Sequence, residues 1–183
     1  MNTNKLGRLL SLVLRHRPEK IGITLSEGGW ISTDVLINAV NLYQEKMGKA
    51  PNASLEDLRK VVATSDKKRF ALSENEECVR ANQGHSIDID LGLNPIEPPE
   101  FLYHGTGEQF IDPIMHKGLL KMERHAVHLS ADTETASKVG SRKGRAIILK
   151  VLTGQMHIDG HVFFRSDNGV YLTEYVPPKY IMY

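Results

Sequence analysis

Apolar residues recur at Leu6, Leu9, Leu10, Val13 and Leu14, the i, i+3, i+4, i+7, i+8 spacing of one helical face. Arg8 and Arg15 fall on the opposite face, with His16 at the edge between them. Pro18 ends this helix, because it lacks an N–H and pushes Arg17 out of the α region. Ile21-Gly22-Ile23-Thr24-Leu25 alternates and predicts a short strand; Ser26-Glu27-Gly28-Gly29 is a turn, and Trp30-Ile31 opens a second extended piece. Ser32 or Thr33 caps the next helix, in which Val35, Leu36, Ala39, Val40 and Tyr43 keep helical spacing. Ser54 with Asp57 forms a variant capping box for a third helix, whose buried face is Leu55, Leu58, Val61 and Val62. Asp66-Lys67-Lys68 then turns the chain into Arg69-Phe70-Ala71-Leu72, and Glu74 to Glu77 turns it back into Cys78-Val79-Arg80-Ala81. Three short helices followed by a hairpin is the element order of a winged helix.

Composition changes from Ile87 onward. Asn94-Pro95-Ile96-Glu97-Pro98-Pro99-Glu100 continues neither a helix nor a central strand, so residues 91–100 are expected to be a linker. Beyond it, Phe101 to His104 predicts a strand running into Gly105-Thr106. A helix follows with Phe110, Ile111, Ile114 and Met115 inward and Gly118 as its stop. Val127-His128-Leu129 is a short strand, Asp132 caps a helix through Ala136 and Val139, and Ala146 to Leu152 reads as a central strand. Val162-Phe163-Phe164 and Val170-Tyr171-Leu172 flank Asp167-Asn168-Gly169, a hairpin signal. The chain is therefore expected to be α+β, in two lobes.

Bulk properties narrow the function classes. The 183 residues, 40% hydrophobic and 25% charged, suit a soluble protein of one full domain or two small lobes. Net charge is +1, so an anionic partner must be held by a local cluster and not by long-range attraction. Cys78 is the single cysteine, which rules out an internal disulfide and a multi-cysteine zinc site. With no signal peptide and no membrane-length apolar run, a cytoplasmic location is expected.

Chemistry-bearing residues cluster in a few stretches. His104-Gly105-Thr106 stands at a strand end, where glycine permits close backbone approach to a flat ligand and histidine and threonine can bond ribose hydroxyls. In the following strand, alternation from Arg124 would put Arg124, Ala126 and His128 on one face and His125, Val127 and Leu129 on the other. Neither His125-x-x-His128 nor His157-x-x-x-His161 has the further ligands that zinc needs, so no metal is expected. No Walker loop, G-x-G-x-x-G or nucleophile elbow occurs. Three arginines and a histidine, Arg15, His16, Arg69 and Arg124, instead suit gripping a phosphate while the imidazole handles a proton.

In order along nearly the whole chain stand Leu14-Arg15-His16-Arg17-Pro18, Ser65-Asp66-Lys67-Lys68-Arg69-Phe70, Gln83-Gly84-His85-Ser86, Tyr103-His104-Gly105-Thr106, Arg124 through Ser130, and Asn168 through Thr173. Together they resemble the NAD-dependent RNA 2′-phosphotransferase family known from tRNA splicing. That resemblance implies a winged-helix RNA lobe (1–90) and an ADP-ribosyltransferase-like mixed α/β lobe (101–183) that binds NAD+ as co-substrate. It implies catalytic roles for Arg15, His16, Arg69 and Arg124, and NAD+ contacts from His104, Gly105, Thr106, His128 and Ser130. Gln83, His85 and Ser86 either bind RNA phosphate or brace the lobe junction. The implied partner is a tRNA-like RNA carrying an internal 2′-phosphate, with no membrane and no obligate protein partner. A phosphate monoester carries about −1.5 to −2 charge near neutral pH and is a nucleophile without a base. This fits Val170 where many ADP-ribosyltransferases carry a catalytic glutamate. Two rivals share part of the pattern: an ADP-ribosyltransferase acting on terminal phosphates of RNA or DNA, and a winged-helix regulator that only senses a nucleotide.

Overall fold

Helix α1 (Thr3–Arg15) buries Leu6, Leu10, Val13 and Leu14, as its apolar spacing requires, in a computed structural model that describes residues 2–65 and 67–183. Asp66, expected in the turn before the hairpin, lies outside the described residues. The chain divides into two compact units, one ending at Gly92 and the other Leu93–Tyr183. It is a mixed α/β protein, with six α-helices and four small antiparallel sheets among the described residues.

In the first unit, the Asn2 side chain accepts from the N–H groups of Asn4 and Lys5, satisfying donors that a helix start leaves over. Arg17 lies outside the α region ahead of Pro18, at φ −143° and ψ 63°, in line with the steric argument. The strand expected over residues 21–25 does not form. Pro18–Ile21 makes a 3-10 turn closed by Gly22 in the left-handed region at φ 71°, and the chain beyond is irregular. Local alternation lost because these residues have no neighbouring strand to pair with.

Strand β1 (Ile31–Ser32) leads into α2 (Thr33–Lys46), capped by Ser32. Leu36 and Val40 are buried there, but Val35 is exposed, and Gln44 takes an inward place by exchanging hydrogen bonds with Asn52. Helix α3 (Leu55–Ala63) has the Ser54–Asp57 capping box in both directions. Strands β2 (Phe70–Leu72) and β3 (Cys78–Ala81) form the hairpin, and β1 joins on the other side of β3 to give the order β1-β3-β2. Phe70, Val79 and Ala81 point into the core built by the three helices.

The second unit starts earlier than the linker expectation allowed. Pro95–Ile96 forms β4, which pairs with β9 (Phe163–Arg165). It is an edge strand, the one sheet position where proline's missing N–H costs little. The sheet runs β4-β9-β10-β7, with β10 at Tyr171–Thr173 and β7 at Val127–Leu129. A second sheet places β8 (Ala146–Val151) centrally between β5 (Leu102–Gly107) and β12 (Ile181–Met182). A two-stranded ribbon pairs β6 (Leu119–Leu120) with β11 (Tyr175–Val176). Helices α4 (Ile111–Lys117), α5 (Thr133–Gly140) and α6 (Thr153–Ile158) complete the unit. Phe110, expected inward, is 41% exposed, whereas Ile111 is buried. Helix α6 carries too few apolar positions for its periodicity to announce it; Met156 anchors it in the core, and Gly154 lets it lie against the Glu100 backbone. No helix among the described residues is long and apolar enough to cross a membrane.

Candidate active site

Arg15 occupies the last turn of α1, and its side chain does not run out to solvent as the helical wheel suggested. The guanidinium folds over the Phe70 ring, 5.8 Å from its centroid, and Nη2 donates to the Arg69 carbonyl at 3.1 Å. A cation on an aromatic face is favourable, more so when partly desolvated. The Arg15 carbonyl accepts from the Ser86 N–H at 2.9 Å, and Ser86 Oγ lies 2.8 Å from His16 Nδ1. The break before Pro18 leaves His16 as the helix C-cap, outside regular helix geometry, where its exposed ring meets Ser86.

The first unit thus brings Arg15, His16, Arg69 and Ser86 together through backbone carbonyls and short side-chain bonds. Gly84 lies beside the Arg15 guanidinium, and Gln83 is half-buried on the same segment. His85 differs from its neighbours: it is 1% exposed, with Nε2 turned toward the Gly29 backbone. Of the two roles considered for it, its burial fits bracing and not contact with an RNA phosphate. Ser65 and Asn82, which sequence reasoning did not single out, bond the backbone on either side of Arg69.

In the second unit, β5 and β7 are joined by a bridge at Tyr103 and Ser130, whose backbone groups exchange two hydrogen bonds of 2.8 Å. His104 Nδ1 lies 3.0 Å from the His128 carbonyl, and His128 Nδ1 lies 3.0 Å from the Ala126 carbonyl. A carbonyl only accepts, so each ring carries its proton on Nδ1, and in the neutral imidazole Nε2 is then an acceptor. His104 is held below its ordinary pKa, chiefly by burial and further by the positive charge of Arg124, against the opposing bond to the His128 carbonyl. It is a neutral ring near neutral pH, suited to accepting from a hydroxyl.

Three expectations for this unit change. Strand β7 starts only at Val127, so Arg124 and Ala126 lie in the preceding turn, where Arg124 and His125 are exposed and Ala126 is half-buried. The Arg124 N–H bonds the Lys121 carbonyl at 3.0 Å, which fixes the turn and leaves the guanidinium exposed. Gly105 is a packing glycine: a Cβ there would stand 1.7 Å from the Ala136 carbonyl oxygen and 2.9 Å from the Gly140 nitrogen. Its bare backbone is filled by α5. Thr106, beside it, is buried at 8% exposure. His104, His128 and Ser130 remain the partly open side chains of this cluster.

Comparison with known proteins agrees over nearly the full length. Residues 1–175 match the model of the family described as RNA 2′-phosphotransferase, Tpt1/KptA family. A probable RNA 2′-phosphotransferase of Flavobacterium johnsoniae is 50% identical over 184 residues, covering 99% of this chain and 98% of the relative. One from Trichormus variabilis is 47% identical over 177 residues, covering 97% and 94%. A third, from Streptomyces coelicolor, is 46% identical over 181 residues, covering 99% and 95%.

Proposed function

This chain belongs to the RNA 2′-phosphotransferase, Tpt1/KptA family, and from that premise we propose that it removes an internal RNA 2′-phosphate with NAD+ as co-substrate. The unit ending at Gly92 serves as a winged-helix RNA lobe, and Leu93–Tyr183 as an ADP-ribosyltransferase-like lobe. The observation that carries the proposal is the convergence of the neighbours Arg15 and His16 with Arg69, 54 positions beyond Arg15, through hydrogen bonds of 2.8–3.1 Å that run by way of Ser86 and the Arg69 carbonyl. Such a cluster offers several fixed N–H donors to a dianionic phosphate.

The second unit has donors and acceptors of the kind a ribose needs. His104, neutral and with Nε2 as acceptor, takes a hydrogen bond from a ribose hydroxyl, and the Ser130 hydroxyl and His128 ring add further contacts. When bound, NAD+ supplies an anomeric carbon with nicotinamide as leaving group. In the first step the RNA 2′-phosphate forms a bond to that carbon as nicotinamide departs; the phosphate is already anionic, so this chain needs no base there. In the second, the adjacent ribose 2″-hydroxyl attacks phosphorus, its proton is removed, and the RNA 2′-oxygen leaves and is protonated. The products are 2′-OH RNA and ADP-ribose 1″,2″-cyclic phosphate. Charge grows on the phosphoryl oxygens in this step, so Arg15, Arg69 and Arg124 act most strongly there, and His16 is the group placed to move a proton.

An RNA with one labelled internal 2′-phosphate, incubated with and without NAD+, tests the proposal. NAD+-dependent recovery of the label on ADP-ribose, with 2′-OH RNA, is expected. A stable ADP-ribosylated RNA as the end product would sink the second step, and no conversion would sink the whole assignment.

A further inference from the structure

We propose that Asn82 is a positioning residue that aims Arg69, and through it Arg15, at the RNA phosphate; this rests on the function proposed above. Lys68, immediately before Arg69, has φ 42°. A side-chain-bearing residue in that left-handed region is strained, so its neighbours must hold it there. Asn82 does so at two points. Its Nδ2 donates to the Lys68 carbonyl at 2.7 Å, and its own backbone N–H donates to the Arg69 carbonyl at 2.9 Å.

Those carbonyls belong to the two peptide planes flanking the Arg69 Cα. Fixing both planes fixes the direction of the Arg69 Cα–Cβ bond. Ser65 completes the frame: its carbonyl accepts from the Lys68 N–H at 2.8 Å and its hydroxyl from the Arg69 N–H at 3.1 Å. The Arg69 carbonyl that Asn82 holds is the one that receives Arg15 Nη2, so a single backbone oxygen sets the spacing of two arginines. Asn82 itself is 6% exposed. It is a buried strut and does not reach the phosphate.

The chemistry is specific to asparagine. Alanine removes the donor to Lys68, and aspartate of the same shape sets a carboxylate against a carbonyl oxygen. Either change frees the Lys68–Arg69 peptide while keeping the Asn82 backbone bond.

The test compares the parent protein with Arg69→Ala, Asn82→Ala and Asn82→Asp on 2′-phosphorylated RNA, following nicotinamide release and 2′-OH RNA separately. For the Asn82 variants, formation of 2′-OH RNA should slow about 10-fold more than nicotinamide release, the effect of weakening one charge-assisted bond from a misdirected Arg69 to the phosphate. ADP-ribosylated RNA should accumulate, as is expected for Arg69→Ala. Without NAD+, the preference for 2′-phosphorylated over 2′-OH RNA should fall by a similar factor. A purely structural Asn82 would lower both steps in proportion to the folded fraction, with no accumulation, and that result overturns the inference.

Lys68→Gly supplies a rescue: glycine adopts the left-handed conformation freely, so Asn82→Ala/Lys68→Gly should recover part of what Asn82→Ala loses. Should Asn82→Ala fail to fold, Ser65→Ala carries the same test from the other side of the segment. If Arg69→Ala accumulates the intermediate and neither the Asn82 nor the Ser65 variants do, the positioning role is wrong and the proposed function stands. If Arg69→Ala accumulates none, the assignment of Arg69 fails first and this inference with it.

Discussion

Arg15 and Arg69 stand 54 positions apart in the chain, yet Arg15 Nη2 donates to the Arg69 backbone carbonyl at 3.1 Å. The last turn of the first helix is thereby locked to the entry of the hairpin. The Arg15 guanidinium thus sits on the backbone of the residue that carries the second arginine.

Arg15→Lys should therefore not be benign. Lysine keeps the charge but has no planar fork to span a carbonyl and a phosphate, nor the same stacking on Phe70. A charge-assisted hydrogen bond is worth about 1.5–3 kcal/mol, so kcat/KM should fall roughly 10-fold or more. Parent-like turnover in this variant would remove Arg15 from the site.

His16→Ala, Arg69→Ala and Arg124→Ala should each slow the second step more than the first. The expected signature is ADP-ribosylated RNA building up while nicotinamide release continues. Equal loss of both steps in all three would mean that the division of roles is wrong.

Gly105→Ala tests the seat of α5. Overpacking a core commonly costs about 1–3 kcal/mol, and a Cβ placed 1.7 Å from the Ala136 carbonyl should cost at least the top of that range. Thermal unfolding of the variant should show a large drop in Tm, or no folded second unit. A parent-like Tm would show that α5 shifts freely on β5.

The pH dependence of stability should carry a contribution from His104. Its folded pKa lies below the ordinary 6.5, chiefly because burial disfavours the charged ring. Below 6.5 the unfolded imidazole binds a proton that the folded one resists, so the unfolded state holds more protons there. Stability should rise with pH up to about the unfolded value and gain nothing further from this group above it. Denaturant unfolding of His104→Gln over a pH series spanning 6.5 should show a shallower loss on the acid side than the parent. An unchanged slope would assign the dependence to another group.

Most helices were legible because their signals are local. Ser32, Ser54 and Asp132 each cap a helix with their own side chains, and Leu6 to Leu14 or Leu58 and Val61 show the apolar period. Short strands were less so. Residues 21–25 alternate as well as any strand but find no partner, whereas Pro95–Ile96 looks like linker and pairs because β9 offers it an edge. Pairing is a property of two segments, and one segment's composition does not contain it.

The same division runs through the candidate site. The residue types, three arginines with a histidine and a His-Gly-Thr triplet, stand in the sequence, and their chemistry points to phosphate and ribose. Tertiary structure decided what each one does. It folded Arg15 back over Phe70, buried His85, left Arg124 on a turn, and gave Gly105 to α5. It also recruited Asn82 and Ser65, whose importance comes only from the two carbonyls and two N–H groups they hold. The physical reason is range: periodicity and capping act within a few residues, while hydrogen bonds such as Arg15 to Arg69 exist only after loops of dozens of residues have closed.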